Sequence, residues 1–526
     1  MEQPGQETVA PGRPARIDAR FVAAALLPGL AWLALVGLTI LGLLGFQVRR
    51  PRFEAAGLAL GAGLLAAAFL LRGNQALSRG ASGVARPVYV WLVPAVAALL
   101  SYGWSINLGP LSDDYVLRAW AVDGQWVPGA WTFTRPLPLA LWQVLATMGG
   151  GWTAIHGLNV LVHAVNSALV AGMSAGWMGP RAGLAAGLVF AGFPASAEAV
   201  AWSAGVFDLL ASAAALLAVT VWQRVAPSPS RTAILVALCV VGMLCKESAV
   251  VIPGLLILIA LTSANTPAEA LTRMRSLLLP VAVAAGFVVT RALSSDAVTG
   301  HLGNLPSSRR QWKDLLVRPF GGVALPLRAD AGPSAETYVL GLLVLIVVGV
   351  AIARALAPPR HASVDAGAEG STGTVLAIGG GWILITALPL LMTFYVSATL
   401  EGSRYLYLSS AGFALALSSS LSGPSIVSRV VAPTATIAIL AIYGTRLNEE
   451  RQIWQRAAAL RDSLLSQASQ IAETVPCRAL TIANAPDNVS GAYVFRVGLD
   501  IAIAAVPTKP DGVPCSLRWN GSTLEP

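Results

Sequence analysis

"VYVWLVPAVAALLSYGWSINLGPLSDDYVLRAW", residues 88–120, runs from an uncharged apolar stretch into two adjacent carboxylates, Asp113 and Asp114. A helix needs about 20 apolar residues to cross a bilayer, and residues 88–106 supply that length. The aspartates follow where such a span would leave the lipid, at the depth where charge costs least and water is near. A membrane helix therefore delivers a pair of acids to an interface.

The rest of the chain agrees. Its 526 residues are 55% hydrophobic and 12% charged, and the mean hydropathy is +0.67, which indicates an all-α polytopic membrane protein and excludes an ordinary soluble domain. The formal charge of +9 is scattered between apolar runs and forms no basic stripe, so nucleic acid is excluded as a partner and loop anchoring explains the charge. The basic residues are arginine except for Lys246, Lys313 and Lys509, which with abundant Ala and Gly points to a GC-rich bacterial genome.

About thirteen membrane spans are expected, with cores near 22–46, 55–71, 88–106, 154–176, 182–196, 203–222, 232–245, 249–262, 277–293, 338–356, 375–397, 405–421 and 430–445. The first lacks a small-residue cleavage pattern and reads as a retained span. Cytoplasmic loops collect arginine, and Arg13, Arg16, Arg20, Arg72, Arg79, Arg86, Arg181, Arg224, Arg231, Arg273, Arg275, Arg354, Arg360 and Arg429 alternate consistently with an inside N-terminus. Arg49, Arg50 and Arg52 go against this pattern, leaving the arrangement of the first two spans open. The chain then divides into a cytoplasmic segment 1–20, a transmembrane domain 21–445 with outer loops at 107–153 and 294–337, and an extracytoplasmic part 446–526. That is a multi-pass protein of the cell membrane whose acidic loop faces outward.

The tail opens with "NEERQIWQRAAALRDSLLSQASQIAET", an amphipathic helix continuing the last span, and ends in alternating β-favouring runs, a small α/β or β appendage. Cys477 and Cys515 are the only cysteines there; an oxidising outer compartment would let them form a disulfide, although two unrelated thiols fit the sequence as well. In the second outer loop "SSRRQWKDLLVRPFGG" is a basic amphipathic stretch around Trp312, suited to the lipid interface.

Polar groups inside spans need a reason, because each costs several kcal/mol at the bilayer centre. In "HGLNVLVHAVNSAL", His156, Asn159, His163 and Asn166 share one helical face, a seam able to bond neighbouring spans. The two histidines lie about 10 Å apart along the axis, too far to share one metal ion. Charged clusters recur at outer helix ends: Glu198 with Asp208, Lys246 with Glu247, and Glu401 with Arg404. Their sorting to the face that carries Asp113 suggests one site.

In order along the chain, "SDDYVLRAW", "TRPLPLALW", "HGLNVLVHAVNSAL", "FPASAEAVAWSAGVFDLLA", "LCKESAVVIP" and "SRYLYLSSAGF" resemble the landmark segments of GT-C glycosyltransferases. The similarity spans roughly residues 88–475, and is strongest to the transmembrane O-mannosyltransferases with tetratricopeptide repeats and their bacterial relatives. Two features depart from that branch: its His-Pro pair is Phe193-Pro194 here, and the repeats are replaced by the cysteine-bearing tail. The second departure puts a protein acceptor in doubt. The resemblance implies transfer of a sugar, mannose in the named branch, from a polyprenyl phosphate to a hydroxyl of a glycan, lipid or protein in the cell envelope, with inversion. It implies Asp113 as general base, with Asp114 orienting the acceptor, binding an ion or sharing the role; Arg135 and Lys246 would offset their mutual repulsion. Arg404 would hold the donor phosphate near Tyr405 and Tyr407, unless it pairs with Glu401 instead. Glu198, Asp208, Glu247, His163 and Glu401 would support the site. No organic cofactor is expected, and a divalent metal is left open. The rival from another class is a transporter or flippase of a lipid-linked saccharide, which would place its charges near the midplane on broken helices.

Overall fold

A computed structural model describes residues 87–127, 135–264, 266–294, 321–328, 330, 332, 334–356, 372–387, 396–422 and 425–525. Within them the helices are α1 (Tyr89–Tyr102), α2 (Asp114–Val122), α3 (Pro136–Thr147), α4 (Trp152–Met178), α5 (Pro180–Ala191), α6 (Ala197–Ala201), α7 (Val206–Arg224), α8 (Pro229–Cys245), α9 (Ile252–Thr262), α10 (Pro267–Arg275), α11 (Leu278–Ser294), α12 (Ala335–Leu356), α13 (Thr372–Ala387), α14 (Tyr407–Ser418) and α15 (Ala432–Thr474).

Among the described residues, five stretches are long and apolar enough to cross a membrane: Tyr89–Asn107, Trp152–Met178, Ser203–Arg224, Ala335–Ala355 and Val427–Thr474. Counting each of two bent pairs as one span makes seven. The expected count of about thirteen is not confirmed among the described residues. Spans 22–46 and 55–71 lie outside the described residues, as does the Trp312 stretch as far as Phe320. Segments 182–196 and 277–293 belong to the bent pairs, whereas 232–245, 249–262 and 405–421 contribute helices of 17 residues or fewer, and residues 388–395 of segment 375–397 lie outside the described residues. Seventeen residues rise only about 26 Å, short of the ~30 Å hydrocarbon core. Hydropathy cannot separate residues that face lipid from those that face protein: the window in Ser203–Arg224 is 83% buried inside the protein.

The bend after α5 is where the polar seam belongs. Phe193-Pro194 stops the helix, since Pro has no N–H and restricts the residue before it, and residues 192–205 descend through two 3-10 turns around α6. The carbonyls freed there need donors in a membrane interior. Asn159 Nδ2 meets Trp202 O at 2.8 Å and Ser203 O at 3.2 Å. His163 Nε2 lies 3.1 Å from Ala191 O, and because a carbonyl only accepts, Nδ1 is left to accept from the Tyr407 hydroxyl at 2.8 Å. The seam thus ties α4 to a broken helix.

The tail is α/β. Strand β1 (Cys477–Ala483) pairs in parallel with β4 (Val513–Trp519), which pairs antiparallel with β5 (Leu524–Glu525). A parallel pair needs a crossover, and it contains a small hairpin, β2 (Asn488–Val489) with β3 (Ala492–Tyr493), and helix α16 (Leu499–Ala504). The Cys477 and Cys515 sulfurs are bonded, closing the crossover at its base.

Three polar segments meet at one end of the bundle. Arg328 reaches both carboxylate oxygens of Glu450 on α15, at 2.5 and 2.9 Å, and the Ser490 carbonyl at 2.7 Å. Farther along α15, Arg461 Nη1 donates to the carbonyls of Leu108 and Pro110 at 2.8 and 2.7 Å. At the opposite end Arg354 bonds Ser419 and Ser422, and Arg224 covers the Trp91 ring.

Candidate functional site

Residues 108–114 cannot be an ordinary loop, because their backbone groups are held from four directions. Arg461 takes Leu108 and Pro110, His156 Nε2 lies 3.0 Å from Gly109 O, and Trp202 Nε1 donates to Leu111 O at 3.1 Å. From the tail, Val494 O accepts the Ser112 N–H at 2.8 Å. Ser112 is thereby kept at φ 50°, a conformation few non-glycine residues adopt.

This turn separates the two aspartates. Asp114, the first residue of α2, is fully buried; its carboxylate accepts from the backbone N–H groups of Leu111 at 2.8 Å and Ala204 at 2.9 Å, so it staples the loop to the start of α7. Burial pushes Asp114 up to about 8, against the pull of those N–H groups and the Ser203 hydroxyl. Asp113, at the helix N-cap, is partly exposed, and its Oδ1 accepts from the Ser112 hydroxyl at 2.9 Å. The cations expected to neutralise them are engaged elsewhere. Lys246 Nζ sits 2.6 Å from Asp208, and Arg135 grips Glu247 through two bonds of 2.9 and 2.5 Å. Among the described residues no ion pair reaches Asp113 or Asp114; backbone N–H groups and burial replace it for Asp114.

The second half of the site is built around Arg404, in the 3-10 turn Ser403–Leu406. The alternative pairing with Glu401 does not occur. Arg404 pairs with Glu198, which is 2% exposed, while Glu401 pairs with Arg496 of the tail at 2.5 Å. The reason is geometric: Gly402 at φ 83° turns the chain between residues 401 and 404, sending the acid outward and the guanidinium inward. Arg404 is walled by the rings of Tyr405 and Trp202 at 4.8 and 5.0 Å. Its Nη1 also donates to the Tyr493 hydroxyl at 3.0 Å and its Nη2 to that of Tyr405 at 3.4 Å, so among the described residues Nε–H and one Nη2–H are uncommitted. A small cavity opens there, lined by Asp208, Ser212, Ser248, Thr386, Arg404 and Tyr405. Lys246 Nζ also approaches the Tyr405 ring, at 5.1 Å.

The two halves share one side chain: the Trp202 indole bonds Leu111 O with its N–H and faces Arg404 with its ring. His163 stands behind the site, on Tyr407, while Glu247 and Arg135 form a partly exposed pair beside Phe207. Sequence reading missed Tyr493, Arg496, Arg461 and Trp202. "SGAYVFRVG" carried a signal for the first two, aromatic and basic residues between glycines in a polar tail. Among the described residues no group of three or more His, Cys, Asp or Glu is arranged to hold a metal ion.

Fold and site define a multi-span helical membrane protein with a ring of charged and aromatic side chains at one end of its bundle. Among solved structures, ArnT from Cupriavidus metallidurans, determined bound to undecaprenyl phosphate, is similar at 12% identity and a TM-score of 0.48, over 82% of this chain and 90% of that one. No protein-family model matches the chain, and no curated protein sequence does.

Proposed function

We propose that this chain is a membrane glycosyltransferase of the GT-C type, moving a sugar from a polyprenyl phosphate to a hydroxyl acceptor at the extracytoplasmic face of a bacterial cell membrane. The observation that carries the reading is the open edge of Arg404. A guanidinium whose Nη1 side is held by Glu198 and Tyr493 presents Nε–H and Nη2–H in parallel, the fork that suits two oxygens of a phosphate. The Asp208 and Glu198 charges on that side are each offset by a cation, so the phosphate enters a nearly balanced site.

In the reaction, Asp113 removes the proton from the acceptor hydroxyl as its oxygen attacks the anomeric carbon. The bond from that carbon to the phosphate oxygen breaks on the opposite face, which inverts the configuration, and Arg404 with Lys246 stabilises the departing polyprenyl phosphate. Asp114 takes no part in the proton transfer; it fixes the backbone that carries Asp113. Mannose as the sugar, and a glycan, lipid or protein hydroxyl as the acceptor, come from the sequence resemblance.

The break between α5 and α7 supports a second reading, a flippase of a lipid-linked saccharide, since transporters also use interrupted helices. Purified protein in nanodiscs, given a polyprenyl-phosphate sugar and an envelope acceptor fraction, separates the two. Release of polyprenyl phosphate that needs acceptor and is lost in Asp113→Asn supports the transferase. Intact donor crossing liposome membranes, with no release, would establish the flippase.

A further inference from the structure

We propose that the tail segment 493–498 is a positioning strap of the active site, with Tyr493 as its working residue; the inference rests on the polyprenyl-phosphate reading above. Over six residues the segment touches both halves of the site. The Tyr493 hydroxyl accepts from Arg404 at 3.0 Å and donates to Glu198 at 3.1 Å. Its ring lies 4.7 Å from that of Trp202, the residue that joins the halves. Burial pushes the Tyr493 phenol above its ordinary range, so it stays a donor at neutral pH. The next residue, Val494, accepts the Ser112 N–H, and the Val497 N–H donates at 3.3 Å to the Ser112 hydroxyl, which itself donates to Asp113. Arg496 anchors the segment to Glu401 at 2.5 Å and to Asp487 at 2.7 Å.

Two glycines set its close approach. Gly491 and Gly498 have φ near 88° and 84°, and a Cβ on them would come within 2.6 Å of Thr399 O and 2.9 Å of Ser112 O. The strap can therefore be lifted without deleting any functional group. Arg404 has five N–H donors and a long side chain; without the Tyr493 hydroxyl its Nη1 keeps only Glu198 as a partner, and the phosphate-facing edge would swing between the Tyr405 and Trp202 rings. Tyr493 is thus a positioning residue acting through Arg404, and Gly498 acts through the strap as a whole.

The test measures binding of undecaprenyl phosphate by native mass spectrometry, and KM and kcat for a polyprenyl-phosphate sugar, on full-length protein in nanodiscs. Tyr493→Phe, which keeps the ring on Trp202, should weaken binding and raise the donor KM roughly tenfold, the worth of one hydrogen bond to a charged group, alongside the small drop in melting temperature expected when buried Glu198 loses a donor. Gly498→Ala should also raise the donor KM and in addition lower kcat, because its Cβ displaces Ser112 and hence Asp113, with some loss of melting temperature from the strained backbone. A merely structural role would lower the melting temperature and the active fraction without moving KM. Wild-type donor KM in both variants would overturn the strap alone. Wild-type protein that fails to bind undecaprenyl phosphate would overturn the polyprenyl-phosphate reading and the strap with it.

Discussion

Tyr493 donates a 3.1 Å hydrogen bond to Glu198 across 295 residues of chain, and Glu198 in turn holds Arg404. A buried carboxylate in a membrane protein is tolerated only when paired and hydrogen-bonded. Here a cation from one end of the bundle and a phenol from the C-terminal tail both serve it, so under the proposed function each member has a distinct expected phenotype.

Asp113 and Asp114 should differ in kind when altered. Asp113→Asn keeps size, removes the partly exposed base, and should lower sugar transfer by roughly 10²–10⁴-fold with little change in melting temperature. Asp114→Asn cannot accept both backbone N–H groups and should cost about 1–3 kcal/mol of stability. Full activity in Asp113→Asn would remove it from the mechanism.

Stability should also depend on pH through Asp114. The group titrates near 3.8 when unfolded and about 8 when folded, so between those values the folded protein carries the extra proton and its stability falls as pH rises, levelling off above about 8. Melting curves from pH 5 to 8 should show this downward slope, and Asp114→Asn should flatten it. A slope that survives the substitution would trace to another group.

At Arg404, removing the cation and changing its shape should separate. Arg404→Ala leaves the buried Glu198 charge uncompensated, which costs about 3–5 kcal/mol, and should give protein that extracts poorly in mild detergent. Arg404→Lys keeps the charge and should fold, yet raise the donor KM at least tenfold because a point charge cannot present a fork. Normal donor use by the Lys variant would make the residue purely structural.

Asn159 tests the broken helix. Asn159→Leu leaves the Trp202 and Ser203 carbonyls without their donor, and at about 1–3 kcal/mol for an unsatisfied buried group the melting temperature should drop measurably. Activity should fall with it, since Trp202 carries both halves of the site. Unchanged melting would mean that the break is stabilised elsewhere.

Cys477 and Cys515 bracket the crossover that carries the strap. In intact cells their thiols should resist a membrane-impermeant alkylating reagent until reductant is added, then react. Closing a loop of 38 residues is worth about 3–4 kcal/mol to this small unit, so reduction should expose Arg496 to trypsin. Labelling without reductant would contradict the disulfide, and no labelling even after reduction would contradict the outward-facing tail.

Much of the fold was legible because hydropathy and helical period are local. Apolar runs marked the membrane class, the spacing of His156, Asn159, His163 and Asn166 marked one helical face, and the continuation of the last span into a long amphipathic helix was readable from composition. The Asp113 and Asp114 pair could be located where a span ends. The number of full spans was not legible, because apolar residues turned toward protein look the same in sequence as those turned toward lipid.

What only the tertiary structure decided are the partnerships. Neighbours in sequence suggested Arg404 with Glu401 and the aspartates with Lys246 and Arg135; packing gave Arg404 to Glu198, Glu401 to Arg496, Lys246 to Asp208 and Arg135 to Glu247. It also buried one aspartate and left its neighbour within reach of water. Charge type and helix position are written locally, but an ion pair forms where two surfaces separated by 38 to 206 residues come within a few ångströms. That distance is set by how broken helices, a left-handed glycine turn and a folded tail pack together, and no local pattern in the chain records it.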